Sequence, residues 1–220
     1  MRKFVISDIH GCFSTFNEVL NTIGLTTSDE LLLLGDYINR GPKSKEVVDE
    51  IIKLQSEGYN VTALKGNHEE MIFDSIALED WNGGTEETLL SFGISHLKEL
   101  DRKYLNWFSK LKPIWSVEEF IFVHAGLNFT TSNPLQDIHS MCWIRNWHDT
   151  IDFNWLGNRK IIHGHVPSSR LEIEKMFENF DRSRVLNIDN GCYMKGENGF
   201  GGLCCVELNQ MELIFQKNIN

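Results

Sequence analysis

Residues 4–11, Phe4-Val5-Ile6-Ser7-Asp8-Ile9-His10-Gly11, form a short apolar run that ends abruptly in an aspartate, a histidine and a glycine. A run of β-branched and aromatic residues with this ending predicts a buried β-strand. The apolar residues behind it fall at i, i+3, i+4 and i+7, which is the spacing of one helix face. They are Phe16, Val19, Leu20 and Ile23. A strand that leads directly into a helix is typical of an α/β protein.

The same pattern recurs along the chain, because further apolar runs also end in glycine, asparagine, aspartate or histidine. These runs and their polar ends occupy residues 31–36, 61–69, 120–126, 161–165 and 185–191. Continuous apolar strands are typical of sheets that are covered on both faces. Polar residues just past strand ends lie where open α/β sheets place their ligands. We therefore predict an α/β fold with mixed strands and a ligand site at the strand ends.

The remaining segments predict helices in the middle of the chain and a hairpin at its end. Residues 69–112 look helical, with candidate core residues Leu89, Leu90, Leu97, Leu100, Leu105 and Leu111. Residues 203–207 and 212–215 resemble two antiparallel strands around Asn209-Gln210. Since no repeat, low-complexity tract or Pro/Ser-rich linker interrupts the sequence, residues 1–220 are predicted to form a single domain.

The charge of the chain argues against one class of partner. The formal net charge is -10 over 220 residues. Nucleic-acid binding usually relies on an excess of basic surface to displace counterions, so no nucleic acid partner is expected. A phosphate substrate stays compatible with an acidic chain, because bound divalent cations can reverse the field at a local site.

The cysteines and the apolar segments predict the compartment. The five cysteines are odd in number, two are adjacent and none form a C-x-x-C pair, which favours free thiols in a reducing environment. The apolar run at the N-terminus is too short for a signal peptide. Because no stretch approaches the ~20 apolar residues of a membrane span, we expect a cytoplasmic protein without a membrane partner.

The residues that gather at the predicted strand ends are those that bind metals. They are Asp8, His10, Asp36, Asn67, His68, His124, His163 and His165. Carboxylate and imidazole groups together suit Mn, Fe, Zn or similar ions. The number of such groups fits two adjacent metals bridged by a carboxylate and a water, with a spacing of about 3.5–4 Å that activates the bridging hydroxide for attack on phosphorus.

Five ordered motifs carry a resemblance to a known family. They are Asp8-Ile9-His10-Gly11, Gly35-Asp36-Tyr37-Ile38-Asn39-Arg40-Gly41, Gly66-Asn67-His68-Glu69, Val123-His124-Ala125-Gly126 and His163-Gly164-His165-Val166-Pro167. In order and spacing they resemble the phosphoprotein phosphatase family of the calcineurin-like metallophosphoesterases, in particular the bacterial Ser/Thr protein phosphatases. The resemblance implies a sandwich of two mixed β-sheets flanked by helices.

The resemblance also implies which residues hold the two divalent metal ions. Asp8 and His10 would bind the first metal, and Asp36 would bridge both. The ligands of the second metal would be Asn67, His124 and His165. Manganese is the expected metal in vitro, with iron, zinc or another ion as alternatives.

Other residues take substrate roles by the same resemblance. Arg40 would grip the substrate phosphate, because its planar fork suits bidentate contact, and Asn67 would contribute to phosphate binding. Arg145, in Trp143-Ile144-Arg145, looks like a second phosphate-binding arginine. His68 would protonate the leaving oxygen. His163 is open to two interpretations, an outer-site residue or a strand-end histidine bonded to a backbone carbonyl.

The sequence departs from the family pattern at Asn39. The family's protein phosphatases carry an aspartate there, which hydrogen-bonds the general-acid histidine and favours its protonated form. An amide can still orient His68 but supplies no negative charge, so we expect weaker help with basic leaving groups. The related symmetrical diadenosine tetraphosphatases also lack that aspartate, according to the resemblance.

A second departure lies near the C-terminus. Asp189-Asn190-Gly191-Cys192 resembles a family element that a Gly-Gly-Leu follows closely, whereas here Gly201-Gly202-Leu203 comes later. The longer glycine-rich loop either borders the active site or extends a hairpin.

Three functions follow from these residues. The first is a metal-dependent phosphomonoesterase acting on phosphoserine and phosphothreonine in proteins, which the short chain and Glu69 favour. The alternative is a hydrolase of dinucleoside polyphosphates such as diadenosine tetraphosphate. A regulatory protein that binds metals without turnover is the third, and only Asn39 supports it. The expected substrate is accordingly a phosphorylated protein or a small phosphate ester.

Overall fold

The computed structural model describes residues 1–78, 86–117 and 119–220. In chain order the strands are β1 Lys3–Ile6, β2 Glu30–Leu33, β3 Asn60–Ala63, β4 Ile114–Val117, β5 Phe120–Val123, β6 Lys160–His163, β7 Val185–Asn187, β8 Gly202–Glu207 and β9 Glu212–Lys217. Each apolar run predicted from the sequence corresponds to one of these strands.

The strands form two mixed sheets, which confirms the predicted α/β architecture. One sheet has the order β3-β2-β1-β8-β9 and the other has the order β4-β5-β6-β7. β1, β2 and β3 are parallel, and β8 and β9 join them antiparallel. In the second sheet β5, β6 and β7 are parallel while β4 is antiparallel to β5.

Helices flank the sheets. They are α1 Phe13–Ile23, α2 Ser44–Ser56, α3 Asn67–Leu78, α4 Glu86–Phe92, α5 Arg102–Ser109, α6 Ile138–Trp143, α7 Phe153–Leu156, α8 Arg170–Glu178 and α9 Phe180–Ser183. Over the described ranges, no helix has the length and apolar character needed to cross a membrane.

Alternate residues of each strand face different apolar layers. In β1, Phe4 and Ile6 pack under α1 and α2, while Val5 points into the layer between the sheets. In β5, Phe122 points into the same layer between the sheets as Val5. Ile121 points to the opposite face of its sheet, into a third apolar cluster. Strands buried on both faces place the core in three layers, and this arrangement leaves the strand ends free to carry polar groups.

The middle and C-terminal predictions are largely confirmed. Residues 69–112 form short helices and one 3₁₀ turn, with 79–85 outside the described residues. Leu97, Leu100 and Leu111 are buried, but Leu90 was predicted wrongly as core, since it is 75% exposed. α4 turns Leu89, its neighbour, toward the core instead. The predicted hairpin is present as antiparallel β8 and β9.

Candidate active site

The loops that follow the parallel strands meet at one edge of the sandwich. The loop after β1 is tied to the loop after β2, because the backbone N–H groups of Ile9 and His10 donate to the carbonyl of Asp36 at 3.0 and 2.8 Å. The loop after β6 is tied to β5 by a 2.7 Å bond from Gly164 to the carbonyl of His124. The strand-end residues predicted as ligands are therefore held together by backbone hydrogen bonds.

Several of the predicted site residues have left-handed backbone conformations. The φ angles of His10, Asp36, Asn39, Arg40 and His165 are 47°, 53°, 68°, 71° and 74°. For residues with a side chain this conformation costs roughly 1–3 kcal/mol each when the region is sparsely populated, and it persists only where the surroundings impose it. These backbone conformations thus lower the stability of the fold, and the tertiary structure imposes them at the residues of the site.

A buried glutamate holds two of the loops in place. The Glu69 carboxylate accepts backbone N–H bonds from Asp36 at 2.9 Å, Tyr37 at 2.8 Å and Gly66 at 3.0 Å. Burial raises the pKa of Glu69 to about 7, and those three amides oppose the rise. The sequence motif contained this residue, but its role as a clamp beneath the site is visible only in the fold.

Two motif glycines are required by close approach to the carboxylates. A Cβ on Gly66 would collide with the Asp36 carboxylate, and a Cβ on Gly164 would collide with that of Asp8. Only glycine allows a backbone to approach a ligand side chain this closely.

Asp36 is shared by two groups of side chains that could hold a metal ion. One group contains His10, Asp36 and His68, and the other contains Asp36, His124 and His165. Within each group the candidate ligand atoms lie within 4.8 Å of one another. Oδ2 of Asp36 is 3.5 Å from Nε2 of both His10 and His124. The position shared by the two groups suits a carboxylate that bridges two metals.

Two histidines of the second group and the neighbouring Asn67 bring three potential ligand atoms close together. Nε2 of His124, Nδ1 of His165 and Oδ1 of Asn67 form a triangle with edges of 3.0, 3.1 and 3.0 Å. Nδ1 of His124 lies 3.1 Å from the carbonyl of Leu34 and must donate to it, so its Nε2 is an acceptor. Edges of roughly 3.0 Å are those of an octahedral face with bonds of ~2.1 Å, and the triangle therefore fits a divalent cation.

His10 is prepared as a ligand in the same way. Its Nδ1 lies 2.9 Å from the carbonyl of Ile38, which fixes the proton there and leaves the Nε2 lone pair toward Asp36.

Asp8 lies beside the two ligand groups. Its Oδ1 accepts the backbone N–H of His165 at 3.1 Å, and its Oδ2 accepts the hydroxyl of Ser7. Oδ1 of Asp8 is 3.9 Å from Nδ1 of His124.

The electrostatics of the edge call for added positive charge. Burial raises the pKa of Asp8, Asp36 and Asp189. Repulsion from Glu69 and Asp8 raises the pKa of Asp36 further, and repulsion from Asp8 raises that of Asp189. Across residues 1–78, 86–117 and 119–220 none of the three forms a salt bridge with lysine or arginine. Buried carboxylates without such partners fit bound cations, which stabilise their ionised form.

The imidazoles at this edge are neutral. Burial lowers the pKa of His10 to about 4 and the pKa of His124 and His165 to about 3. Neutral imidazole is the form that binds metals. The donor set is therefore chemically fit for divalent ions, with Asp8, His10, Asp36, Asn67, His124 and His165 as the residues that would hold them.

Two arginines lie close enough to the proposed metal ligands to affect their pKa values. The positive charge of Arg40 lowers the pKa of His10 and His68, and that of Arg145 lowers the pKa of His124 and His165. Both arginines are exposed and can reach a ligand. Two cationic side chains flanking one edge can bind a substrate with more than one phosphate.

The glycine-rich loop borders this edge, and its Tyr193 was not identified from the sequence. The guanidinium of Arg40 lies 5.0 Å from the Tyr193 ring centre, and the His10 ring meets the same tyrosine edge-on at 5.0 Å. A cation over an aromatic face is attracted by it. Tyr193 therefore holds Arg40 beside His10.

Asn39 contacts His68, as the sequence predicted. Nδ2 of Asn39 lies 2.8 Å from Nδ1 of His68. Burial lowers the pKa of His68 to about 2, and the positive charge of Arg40 acts in the same direction. Nε2 of His68 is 3.9 Å from Oδ2 of Asp36, so the imidazole faces the metal ligands.

His163 lies apart from the two ligand groups. Its Nδ1 is 3.0 Å from the carbonyl of Gly164, and its Nε2 is 2.9 Å from Nε2 of His148. The histidine is bonded to a backbone carbonyl, which was one of the two interpretations of the sequence. His148, which carried no motif, is its second partner.

A cavity adjoins Arg145. It has a volume of about 440 Å³ and its lining includes Arg145, His148, His163, Glu172 and Lys175. The carboxylate of Glu172 is engaged by the backbone and hydroxyl of Ser169 at 2.8 and 2.7 Å. Arg145 and Lys175 are both exposed and bring two positive charges to the cavity, and Glu172 brings one negative charge that interacts with Lys175.

Solved structures share this fold. A protein proposed to be a diadenosine tetraphosphatase matches with a TM-score of 0.70 and 16% identity, over 100% of this chain and 94% of the other. A protein serine/threonine phosphatase from Saccharomyces cerevisiae matches with a TM-score of 0.69 and 16% identity, over 100% and 81%. A cold-active protein tyrosine phosphatase matches with a TM-score of 0.67 and 16% identity, over 99% and 79%. At this identity the likeness concerns the fold.

Two proteins that are similar to this chain in sequence have the same name. The symmetrical bis(5'-nucleosyl)-tetraphosphatase of Buchnera aphidicola is 33% identical over 162 residues, which are 70% of this chain and 55% of the relative. That of Nitrosomonas europaea is 32% identical over 130 residues, or 58% and 45% of the two chains. The chain thus spans about half the length of the curated relatives it matches.

The family is shown by a match that covers most of the chain. The sequence model of the calcineurin-like phosphoesterases matches residues 1–203. This range contains all five motifs and every residue that the geometry assigns to the two ligand groups. The protein belongs to the calcineurin-like phosphoesterase family.

Proposed function

We propose that this protein hydrolyses dinucleoside polyphosphates at a centre of two divalent metal ions. Asp8, His10 and Asp36 would hold one ion, while Asp36, Asn67, His124 and His165 would hold the other. Bound ions of this kind supply Lewis acidity toward the phosphoryl oxygens and the attacking water. The chain's own residues then bind, orient and assist the departure of the leaving group.

The observation that carries the proposal is the 2.8 Å contact between Nδ2 of Asn39 and Nδ1 of His68. A carboxylate in this position would stabilise a positively charged imidazole, whereas an amide carries no charge to do so. Cleavage of a serine phosphate expels a strongly basic alkoxide, which requires a proton from a good general acid. A phosphoanhydride expels a nucleotide phosphate that is stable as an anion. The neutral pair therefore suits phosphoanhydrides better.

The cationic groups support a substrate with several phosphates. Arg40 lowers the pKa of His10, whereas Arg145 lowers the pKa of His124. Each arginine would therefore bind a different phosphate. Beyond Arg145, the cavity with Lys175 offers room and positive charge for the phosphates and nucleoside that are not at the reacting centre. A phosphomonoester has only one phosphate and would use one end of this arrangement.

The names of the relatives point the same way. Both relatives described above are called symmetrical bis(5'-nucleosyl)-tetraphosphatases, and their match reaches 33% identity over 70% of this chain. Glu69, which favoured a protein phosphatase at the level of sequence, binds backbone amides beneath the site. A residue in that role gives no preference for a phosphoprotein.

The test compares substrates on one preparation. Metal-stripped protein, with and without Mn²⁺, is incubated with diadenosine tetraphosphate, a phosphoserine peptide and p-nitrophenyl phosphate. We expect metal-dependent hydrolysis of the dinucleotide with a kcat/KM at least about 100-fold above that for the peptide, a difference of roughly 2.7 kcal/mol in the barrier. Nucleotide products resolved by chromatography show whether cleavage is symmetrical, giving ADP alone.

Two outcomes would overturn the proposal. A preference for the phosphoserine peptide would return the chain to the protein phosphatases. No turnover of any substrate, with both metals bound, would identify a regulatory metal-binding protein.

A further inference from the structure

Thr88 contacts Asn39 from a helix that is remote in sequence. It lies in α4, is 1% exposed, and its hydroxyl is 2.6 Å from Oδ1 of Asn39. The backbone N–H of Asn39 donates to the hydroxyls of Thr88 at 2.9 Å and Ser44 at 3.0 Å. The two hydroxyls are 3.0 Å apart. Asn39 is therefore held at its backbone and at its side-chain oxygen.

The distances decide which way the Asn39 amide points. Hydrogen bonds between two oxygens are typically about 2.7–2.8 Å, whereas those from a nitrogen to an oxygen are about 2.9–3.0 Å. The contact of 2.6 Å with Thr88 is thus that of a hydroxyl donating to Oδ1. With the Thr88 proton committed there, Nδ2 is the amide atom that faces His68 at 2.8 Å.

We infer that Thr88 is a positioning residue that keeps His68 in the Nε2–H form, and thereby keeps His68 a hydrogen-bond donor rather than a metal ligand. An amide nitrogen can only donate, so Nδ1 of His68 must accept. The single proton of the neutral ring then resides on Nε2, which faces Asp36 at 3.9 Å. The value of this donor for leaving-group departure rests on the proposed function.

The inference resolves an ambiguity in the ligand set. His68 groups with His10 and Asp36 by distance alone, so its position would allow it to bind a metal. A nitrogen that carries a proton has no lone pair for a cation. If the amide turned over, its oxygen would accept from Nδ1 and the lone pair of Nε2 would be exposed to the site. By fixing the proton on Nε2, Thr88 keeps His68 a hydrogen-bond donor, while the neighbouring His10 keeps an Nε2 lone pair for a metal.

The test reads the position of the His68 proton directly. Nitrogen-15 NMR of metal-free protein labelled at histidine distinguishes the two neutral tautomers, and the His68 signals are those absent from His68→Gln. We expect the Nε2–H tautomer in the unmodified protein. Observation of the Nδ1–H tautomer there would overturn the inference without any variant, whatever the protein's activity.

Variants of Thr88 separate orientation from packing. Thr88→Val keeps the shape but removes the hydroxyl, so a substantial share of His68 should shift to the Nδ1–H tautomer. Thr88→Ser retains the hydroxyl and should match the unmodified protein. In an Asn39→Asp background both side-chain atoms are acceptors, so Nδ1 of His68 carries a proton whichever way the carboxylate turns. Thr88→Val should then leave the His68 spectrum unchanged. A Thr88→Val spectrum identical to that of the unmodified protein would overturn the assignment.

The NMR result and the substrate result are independent. An Nε2–H tautomer in a protein that does not cleave dinucleotides would retain the inference and reject the proposed function. Dinucleotide cleavage by a protein with the Nδ1–H tautomer would retain the proposed function and reject the inference about Thr88.

Discussion

Asp36 accepts the backbone N–H of His68 at its Oδ1, at 3.1 Å, while its Oδ2 faces the ligand groups. One oxygen thus fixes the carboxylate to the chain and the other is aimed at the site. Asparagine in this place can satisfy the first contact but brings no negative charge to the second. The effect of Asp36→Asn should accordingly fall on the metals rather than on the fold.

For Asp36→Asn we predict loss of at least one of two bound metals and a fall in kcat on the order of 10³-fold, because the charge that would bridge the ions is removed. Metal content by elemental analysis after dialysis and turnover of p-nitrophenyl phosphate measure the two effects. Asp137→Asn is the matched control, since its Oδ1 accepts Ser140 N–H at 3.1 Å and neither ligand group contains it. Full metal content and turnover in Asp36→Asn would contradict the two-metal assignment.

Asn39→Asp tests the leaving-group argument. A carboxylate against Nδ1 of His68 favours the charged imidazole and improves its capacity to donate a proton. Hydrolysis of alkyl phosphates should then rise by roughly 10-fold or more, and that of aryl phosphates much less, because only a basic leaving group needs the proton. A series of esters with different leaving groups gives the slope. An equal change for both classes would show that Asn39 acts in another way.

The parts of the site that lie in local motifs could be predicted from the sequence. Asp8, His10, Asp36, Asn67 and His124 each follow a strand within a few residues, and parallel strands bring their carboxyl ends to one edge. The glycine-rich loop could be recognised too, but not its contact with the site. Tyr193 reaches Arg40 only because the loop folds back over the edge.

Contacts that depend on tertiary packing could not be predicted. Thr88 is 49 residues from Asn39 in sequence, and no local pattern joins them. Leu90 was misassigned because a run of leucines does not show which member a short helix buries, and α4 turns Leu89 inward. Side-chain partners set by distant elements need the fold itself.

Lys175→Met tests whether the cavity beside Arg145 holds part of the substrate. Removing one exposed positive charge should raise the KM for diadenosine tetraphosphate by roughly 5-fold, since one screened charge pair near a surface is worth about 1 kcal/mol. The KM for p-nitrophenyl phosphate should not change, because that ester carries a single phosphate. Lys53→Met on α2 is the control and should alter neither constant. Equal effects on both substrates would place Lys175 outside a distal subsite.

The ion pair between Arg2 and Asp29 predicts how stability depends on pH. Nε and Nη2 of Arg2 donate to the Asp29 carboxylate at 3.0 and 2.6 Å, and Thr26 adds a backbone and a hydroxyl bond at 2.9 and 2.8 Å. These contacts hold the pKa of Asp29 below its usual range, with the bond from Arg2 as the largest cause. The folded state therefore favours the ionised carboxylate, and this stabilisation is complete above the unfolded pKa of about 3.9.

Asp29→Asn should lower the free energy of unfolding at pH 7 by about 1–2 kcal/mol, a modest value because the Arg2 side chain is 45% exposed. As the pH falls below about 4, the Asp29 carboxylate is protonated first in the unfolded state and only at lower pH in the folded state, so the difference in stability between the two proteins should shrink over that interval. Urea unfolding at pH 7 and at successively lower pH measures it. Asp181→Asn, whose side chain is 93% exposed beside Lys160, should change stability little at any pH. A difference for Asp29→Asn that stays constant as the pH falls would show that its origin is packing rather than charge.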